Sequence, residues 1–128
     1  MTSASTLHID CPTGLAGDML LAALLDLGVP IEVVEESLRQ IGIFELVRLD
    51  LREDRSGGLR GRRLDVIALE PDPPHRQWSD ISERIRTADL APALKSRVLA
   101  VFTALAEAEA CVHGCSVETV HFHEVGAI

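Results

Sequence analysis

The residues best suited to chemistry lie near the end of the chain, where two histidines and a glutamate occur within four positions. His121 and His123 are separated by one residue, and Glu124 follows directly. In a β-strand, residues i and i+2 project from the same face, so the two imidazoles would lie side by side. Neutral imidazoles suit zinc, copper, iron or nickel. The spacing predicts a metal site with Glu124 as a ligand or supporting group; the alternative is a pair of ordinary surface histidines.

A second candidate site is the glycine-containing stretch near the start of the chain. Asp10 is followed by Gly14, Gly17 and Asp18, ahead of an apolar run. Glycines let a ligand approach backbone N–H groups, and a helix N-terminus aims such groups at anions. The stretch therefore suits a phosphate. The alternative, which the spacing alone favours, is a tight strand-to-helix turn whose glycines serve only backbone geometry.

Two further groups of side chains have chemical potential. Cys111 and Cys115 are four residues apart on a predicted helix and can share a face for a soft metal, although we favour buried, apolar cysteines. Eleven of the twelve basic residues are arginine, which suits planar recognition of carboxylate or phosphate. Five of them surround a predicted hairpin, where the favoured alternative is a solvated tip paired with Glu53 and Asp54: Arg52, Arg55, Arg60, Arg62 and Arg63.

The elements that position these groups follow from the spacing of apolar residues and from the glycines and prolines between them. Strands are predicted at residues 7–10, 44–52, 59–70 and 120–125, and helices at 18–28, 31–41, 79–86 and 92–113. This order predicts an α+β fold, a split βαβ or ferredoxin-like sandwich with a mixed sheet and helices on one face. In that topology the last strand lies antiparallel beside the first, which brings His121 and His123 close to Asp10.

The last helix carries the most regular apolar pattern of the chain. Apolar residues recur there at steps of four and three, the spacing of one helical face; they are Leu94, Val98, Val101, Leu105, Ala108 and Val112. Leu99 and Phe102 widen this stripe. We therefore expect the stripe to face the core.

Composition limits the class of protein. A chain of 128 residues suggests one domain, here residues 7–128 after a loose tail at 1–6. The net charge of −8 argues against nucleic acid as a partner. The longest apolar run is too short to span a bilayer, so we expect no membrane association. Three cysteines without a signal peptide predict a reducing, cytoplasmic setting.

Taken together, these residues resemble the N-terminal region of the nickel-pincer cofactor nickel-insertion family (LarC). The resemblance covers nearly the whole chain in the right order, and its two ends are specific. The matching segments are residues 10–11, 14–19, 24–30, 75–76, 79–81, 106–110, 113–114 and 121–127.

The resemblance implies an activity and a set of partners. Members of that family insert nickel into a pyridinium mononucleotide carrying two thiocarboxylates, using CTP with a divalent metal, a lyase reaction of the metal-chelatase type. Relatives continue past the position of Ile128 with a CTP-binding region. We therefore expect this chain to be the N-terminal part of a longer family protein, inactive alone, whose partners are that region or a separate chain and, in addition, a second copy of itself.

The resemblance also implies roles for individual residues. The candidate nickel ligands are His121, His123 and Glu124. Asp10 and Asp18 are the candidate catalytic carboxylates, which order the glycine loop or assist with the metal. Gly14 and Gly17 are the candidate contacts to the substrate phosphate. Two alternatives remain open: an assembly domain that binds a partner chain without metal chemistry, and a module that binds phosphate or a mononucleotide.

Overall fold

A computed structural model describes residues 6–70 and 76–122, which form four α-helices and four strands. The helices are α1 (Gly17–Asp26), α2 (Ile31–Ile41), α3 (Trp78–Thr87) and α4 (Pro92–His113). The strands are β1 (Val47–Ser56), β2 (Leu59–Ala68), β3 (Arg76–Gln77) and β4 (His121–Phe122), and single 3-10 turns occupy Phe44–Leu46 and Val117–Thr119. The predicted α+β class is confirmed. The predicted tail falls mainly on residues 1–5, which lie outside the described residues.

Strands β1 and β2 form the predicted antiparallel hairpin, in which Leu51 lies opposite Leu64. The loop between Ser56 and Leu59 consists of Gly57 and Gly58, whose φ angles are 57° and 82°. Positive φ at both loop residues is the requirement of the two-residue turn that matches strand twist, and glycine meets it without strain. The hairpin extends as far as Ser56, beyond the predicted end of its first strand.

Helix α1 packs on one face of this hairpin and forms the first of two cores. Ala22, Leu25 and Leu64 are buried there, with exposed fractions of 4%, 3% and 2%. Helix α2 adds Ile31 and Val34 to the edge of the same core. Because β-strand side chains alternate, the burial of Leu64 decides which β2 side chains face α1.

The second core joins α3, α4 and the short β3–β4 sheet. Trp78 and Phe122 are buried with Ala106 and Ala110 of α4. The rings of Trp78, Phe102 and Phe122 lie with their centroids 6.3–6.4 Å apart, two of the three pairs edge to face. Such aromatic arrangements are favourable beyond the area they bury. This cluster holds β4 beside β3.

The ferredoxin-like sheet that the sequence predicts is not formed by the described residues. Residues 7–10 are exposed and irregular, and β4 pairs antiparallel with β3 instead of with an initial strand. The described strands thus form two separate two-stranded antiparallel sheets, not one mixed sheet. The aromatic cluster explains why β4 pairs with β3. Trp78 directly follows β3, and its contact with Phe122 places β4 beside that strand. The rest of the predicted strand at 120–125 lies outside the described residues.

Helix α4 buries a face that overlaps the predicted one only in part. Leu99, Phe102 and Leu105 pack against the core as predicted, whereas Val101 and Val112 of the predicted stripe are 69% and 79% exposed. The buried positions on the helix are Ala106 and Ala110, which lie beside the predicted stripe. The helix is apolar on both stripes, so periodicity does not distinguish them. Alanine at the centre lets α4 approach the Trp78 and Phe122 rings closely.

The helix ends behave as the glycines predict. The φ angles of Gly28, Gly42 and Gly114 are 101°, 76° and 63° at the ends of α1, α2 and α4. On α2, Arg39 lies 3.0 Å from Glu35, the predicted pair. None of the helices within residues 6–70 and 76–122 is both long enough and apolar enough to cross a membrane.

The buried face of α4 can be tested with two alanine-to-leucine substitutions. Ala106→Leu inserts a large side chain against the aromatic cluster and should lower the free energy of unfolding by about 1–3 kcal/mol. Ala108→Leu, on the exposed side, should change it by less than about 0.5 kcal/mol. Urea unfolding followed by fluorescence of Trp78, the single tryptophan, measures both. Equal losses in the two variants would contradict the assigned face.

The packing of α1 on the hairpin gives a second pair of substitutions. Leu64→Ala leaves a cavity under Ala22 and Leu25 and should cost about 2–5 kcal/mol of unfolding free energy. Leu59, on the same strand, is 78% exposed, and Leu59→Ala should cost less than about 0.5 kcal/mol. Urea unfolding followed by circular dichroism measures both values. A Leu64→Ala variant as stable as Leu59→Ala would rule out this core.

Candidate functional site

Strand β4 presents the first of the two predicted metal-binding histidines to solvent. His121 is exposed and lies opposite Gln77, whereas its neighbour Phe122 is buried to 2%. The alternation expected of a strand therefore holds at this position. The other two members of the predicted ligand set, His123 and Glu124, lie outside the described residues. Their role as ligands stays a prediction.

The N-terminal candidate stretch forms a turn that leads into α1. The φ angle of Gly14 is 98°, and its N–H donates to the carbonyl of Cys11 at 3.1 Å. A Cβ atom at Gly14 or Gly17 would meet nothing within 4 Å, so the backbone there is open to a ligand. Gly14 is thus required for its positive φ, and the predicted turn geometry is present.

The two predicted carboxylates occupy different positions relative to α1. Asp10 is exposed in the irregular segment before the helix. Ala16 holds the N-cap position of α1, and Asp18 lies in the first turn of the helix. Its carboxylate accepts a hydrogen bond from the N–H of Met19 at 2.9 Å. A carboxylate in the first turn interacts favourably with the helix dipole.

Within residues 6–70 and 76–122, no three His, Cys, Asp or Glu side chains come together as a metal site. Asp10 and His121 accordingly form no three-ligand centre with other described side chains. Cys111 and Cys115 are both exposed free thiols, as is Cys11. The expectation of buried, apolar cysteines is therefore wrong: Cys111 lies on the exposed side of α4, and Cys115 follows the helix, after its C-cap Gly114.

A concave surface with a volume of about 610 Å³ lies between α1 and the hairpin. We call it the α1–hairpin cleft. Helix α1 lines it with one face, on which Asp18, Ala22 and Asp26 are spaced four apart. The hairpin lines it with apolar Leu59 and Leu64 and with four arginines: Arg55, Arg60, Arg62 and Arg63.

Strand register determines which arginines face α1. The pair Arg55 and Arg60 and the pair Glu53 and Arg62 continue the face that carries Leu64. Arg60 and Arg62 approach Asp26 at 3.1 and 3.5 Å. Arg60 also lies 3.7 Å from Glu53, at the edge of ion-pair range. Arg55 forms no ion pair with any part of the chain that the structure describes.

The remaining arginines pair on the opposite face of the hairpin. Asp65 accepts a hydrogen bond from Arg63 at 2.8 Å and forms an ion pair with Arg52 at 2.9 Å. The hydrogen bond with Arg63 lowers the pKa of Asp65 and raises the pKa of Arg63. The solvated-tip interpretation thus holds for Arg52 and Arg63, although Asp65 is their partner rather than the predicted neighbours. In the cleft, Arg60 and Arg62 pair with Asp26, to which the sequence analysis gave no chemical role.

Comparison with known proteins identifies close relatives. The family described as nickel insertion protein matches residues 7–128. The chain is 43% identical over 121 residues to a "putative nickel insertion protein" of Citrifermentans bemidjiense, covering 94% of this chain and 31% of that protein. It is also 43% identical over 126 residues to the pyridinium-3,5-bisthiocarboxylic acid mononucleotide nickel insertion protein of Akkermansia muciniphila. That alignment covers 93% of this chain and 31% of that protein.

The chain thus spans about 31% of the length of these relatives. No solved structure gives a significant match. The match to the family nevertheless runs through both candidate regions, the turn at Gly14 and the strand at His121. On the strength of that match, the chain belongs to the nickel insertion protein family.

Proposed function

We propose that this chain is the N-terminal metal- and substrate-handling part of an enzyme that inserts nickel into a pyridinium bisthiocarboxylate mononucleotide. The observation that carries the proposal is the family match over residues 7–128. The relative from Akkermansia muciniphila is named for that mononucleotide and for nickel insertion. The product would be a nickel-pincer cofactor, in which the metal is bonded to the pyridinium ring and its sulfur substituents.

The nickel-handling role rests on the position of His121. Phe122 is fixed by its contacts with Trp78 and Phe102, so the backbone that carries His121 is held while the imidazole faces solvent. Imidazole nitrogen is a suitable ligand for nickel. With His123 and Glu124 as further ligands, nickel keeps open positions for the sulfur atoms of the substrate. An open coordination shell suits a metal that is cargo and must leave the protein.

The substrate-handling role rests on the turn before α1. Gly14 and Gly17 leave the backbone accessible, so a phosphate can approach the N–H groups at the start of the helix. Asp18 orders the first turn, and Asp10 is exposed and free to assist with the metal. We assign CTP, with its divalent metal, to a part of the family protein outside residues 1–128, since the chain spans only about 31% of the length of its relatives. The free thiols of the chain agree with a reducing, cytoplasmic compartment.

Nickel titration tests the metal-handling role. The double variant His121→Ala/His123→Ala should raise the nickel dissociation constant by at least about tenfold, equivalent to about 1.4 kcal/mol, because two imidazole ligands are lost. His113→Ala is the matched control: His113 is an exposed histidine on α4, 3.1 Å from Glu109. It should bind nickel as the unaltered chain does. Isothermal titration calorimetry at one pH and salt concentration measures all three proteins.

Two results of the titration would contradict the proposal. One is equal nickel affinity in the unaltered chain and the double variant. The other is an equal loss of affinity in His113→Ala, which would show nonspecific binding to any exposed histidine. Circular dichroism of each variant confirms that the fold is retained.

A further inference from the structure

We propose that the α1–hairpin cleft binds the pyridinium ring of the substrate mononucleotide and that Arg55 and Arg62 hold an anionic thiocarboxylate substituent of the ring. The inference rests on the proposed function, since it takes the substrate class from there. It adds a site that neither the glycine turn nor the histidine strand includes. The ligand class is a pyridinium nucleotide with an anionic group on its ring.

The size and lining of the cleft fit such a ligand. Its volume of about 610 Å³ is within the range of small-molecule pockets, roughly 300–1,000 Å³. Met19 and Leu59, which are 54% and 78% exposed, offer apolar surface on which a flat ring can pack. Charged groups lie around this apolar surface, so a ring can pack on the apolar surface while its polar substituents contact the charged side chains.

The charge balance on the inner face of the hairpin leaves cationic capacity for an anion. Arg60 approaches both Asp26 and Glu53, and Arg62 approaches Asp26. Arg55 forms no ion pair within the described residues, and Arg62 reaches Asp26 at 3.5 Å. A guanidinium binds a carboxylate through two parallel N–H donors, which also fixes the orientation of a planar ligand.

The opposite side of the cleft carries the charge that a pyridinium ring requires. Asp18 lines the cleft from the first turn of α1 and forms no ion pair within residues 6–70 and 76–122. An anionic side chain on this wall and arginines on the other match a ligand with a cationic ring and anionic substituents. Asp18 also adjoins the glycine turn, so a phosphate on that turn belongs to the same ligand.

Calorimetric titration with three commercially accessible pyridinium ligands tests the site. In these ligands a ring carboxylate stands in for the thiocarboxylate of the proposed substrate. Nicotinic acid mononucleotide carries a ring carboxylate and a phosphate, nicotinamide mononucleotide only the phosphate, and nicotinic acid riboside only the carboxylate. The double variant Arg55→Gln/Arg62→Gln should bind the two carboxylated ligands at least about tenfold more weakly than the unaltered chain. Its affinity for nicotinamide mononucleotide should stay within about twofold.

Two further variants control the experiment. Arg48→Gln removes the same charge from an exposed position on β1 that does not line the cleft, and it should leave all three affinities unchanged. Arg55→Gln alone removes a side chain with no ion pair to lose and should already weaken binding of the carboxylated ligands. Unchanged affinity in the arginine variants, or no binding of nicotinic acid mononucleotide by the unaltered chain, would overturn the site. An equal loss for nicotinamide mononucleotide would overturn the assignment of the arginines to the carboxylate.

Nickel binding separates this inference from the function on which it rests. The arginine double variant should keep the nickel affinity of the unaltered chain, because its substitutions lie on the hairpin and not on β4. Arginine-dependent nucleotide binding in a chain that fails to bind nickel through His121 and His123 would support the cleft and contradict the metal-handling proposal. Histidine-dependent nickel binding with arginine-independent nucleotide binding would do the reverse.

Discussion

One constraint governs both the strand that carries His121 and the α1–hairpin cleft: a buried side chain on a strand determines the direction in which its neighbours project. Phe122 is buried against Trp78, and the adjacent His121 therefore faces solvent. Leu64 is buried beneath α1, and Arg62, two residues before it, extends the same face into the cleft. In each half of the molecule, apolar burial thus positions the polar chemistry. Burial of apolar side chains in the core stabilises each strand. The alternation of side chains along the strand then sets the direction in which the functional side chains project.

Local features of the structure were predictable from the sequence because their determinants are local. Glycine is the residue that adopts positive φ without strain, so Gly28, Gly42 and Gly114 mark helix ends. The Gly57–Gly58 pair similarly predicts a hairpin between two alternating segments. For the same reason the turn at Gly14 was predictable as a turn.

Tertiary choices were not predictable, since several partners satisfy the same pattern. Helix α4 carries two apolar stripes, and only the position of the aromatic rings selects the one centred on Ala106. The described part of β4 is two residues long, and the contacts of Phe122 with Trp78 and Phe102, which no strand pattern predicts, hold it beside β3. Asp26 lies 34 residues before Arg60, and no spacing rule connects them. The family resemblance, in contrast, depends on residue identity, and it is confirmed over residues 7–128.

X-ray absorption at the nickel edge, on the chain loaded with one equivalent of nickel and no substrate, tests the nickel-handling claim most directly. Ligation by His121, His123 and Glu124 predicts a shell of nitrogen and oxygen atoms with the multiple scattering of two imidazoles. The same chain has three exposed thiols, at Cys11, Cys111 and Cys115, which can compete for the metal. A sulfur shell, or a spectrum without imidazole scattering, would contradict the account.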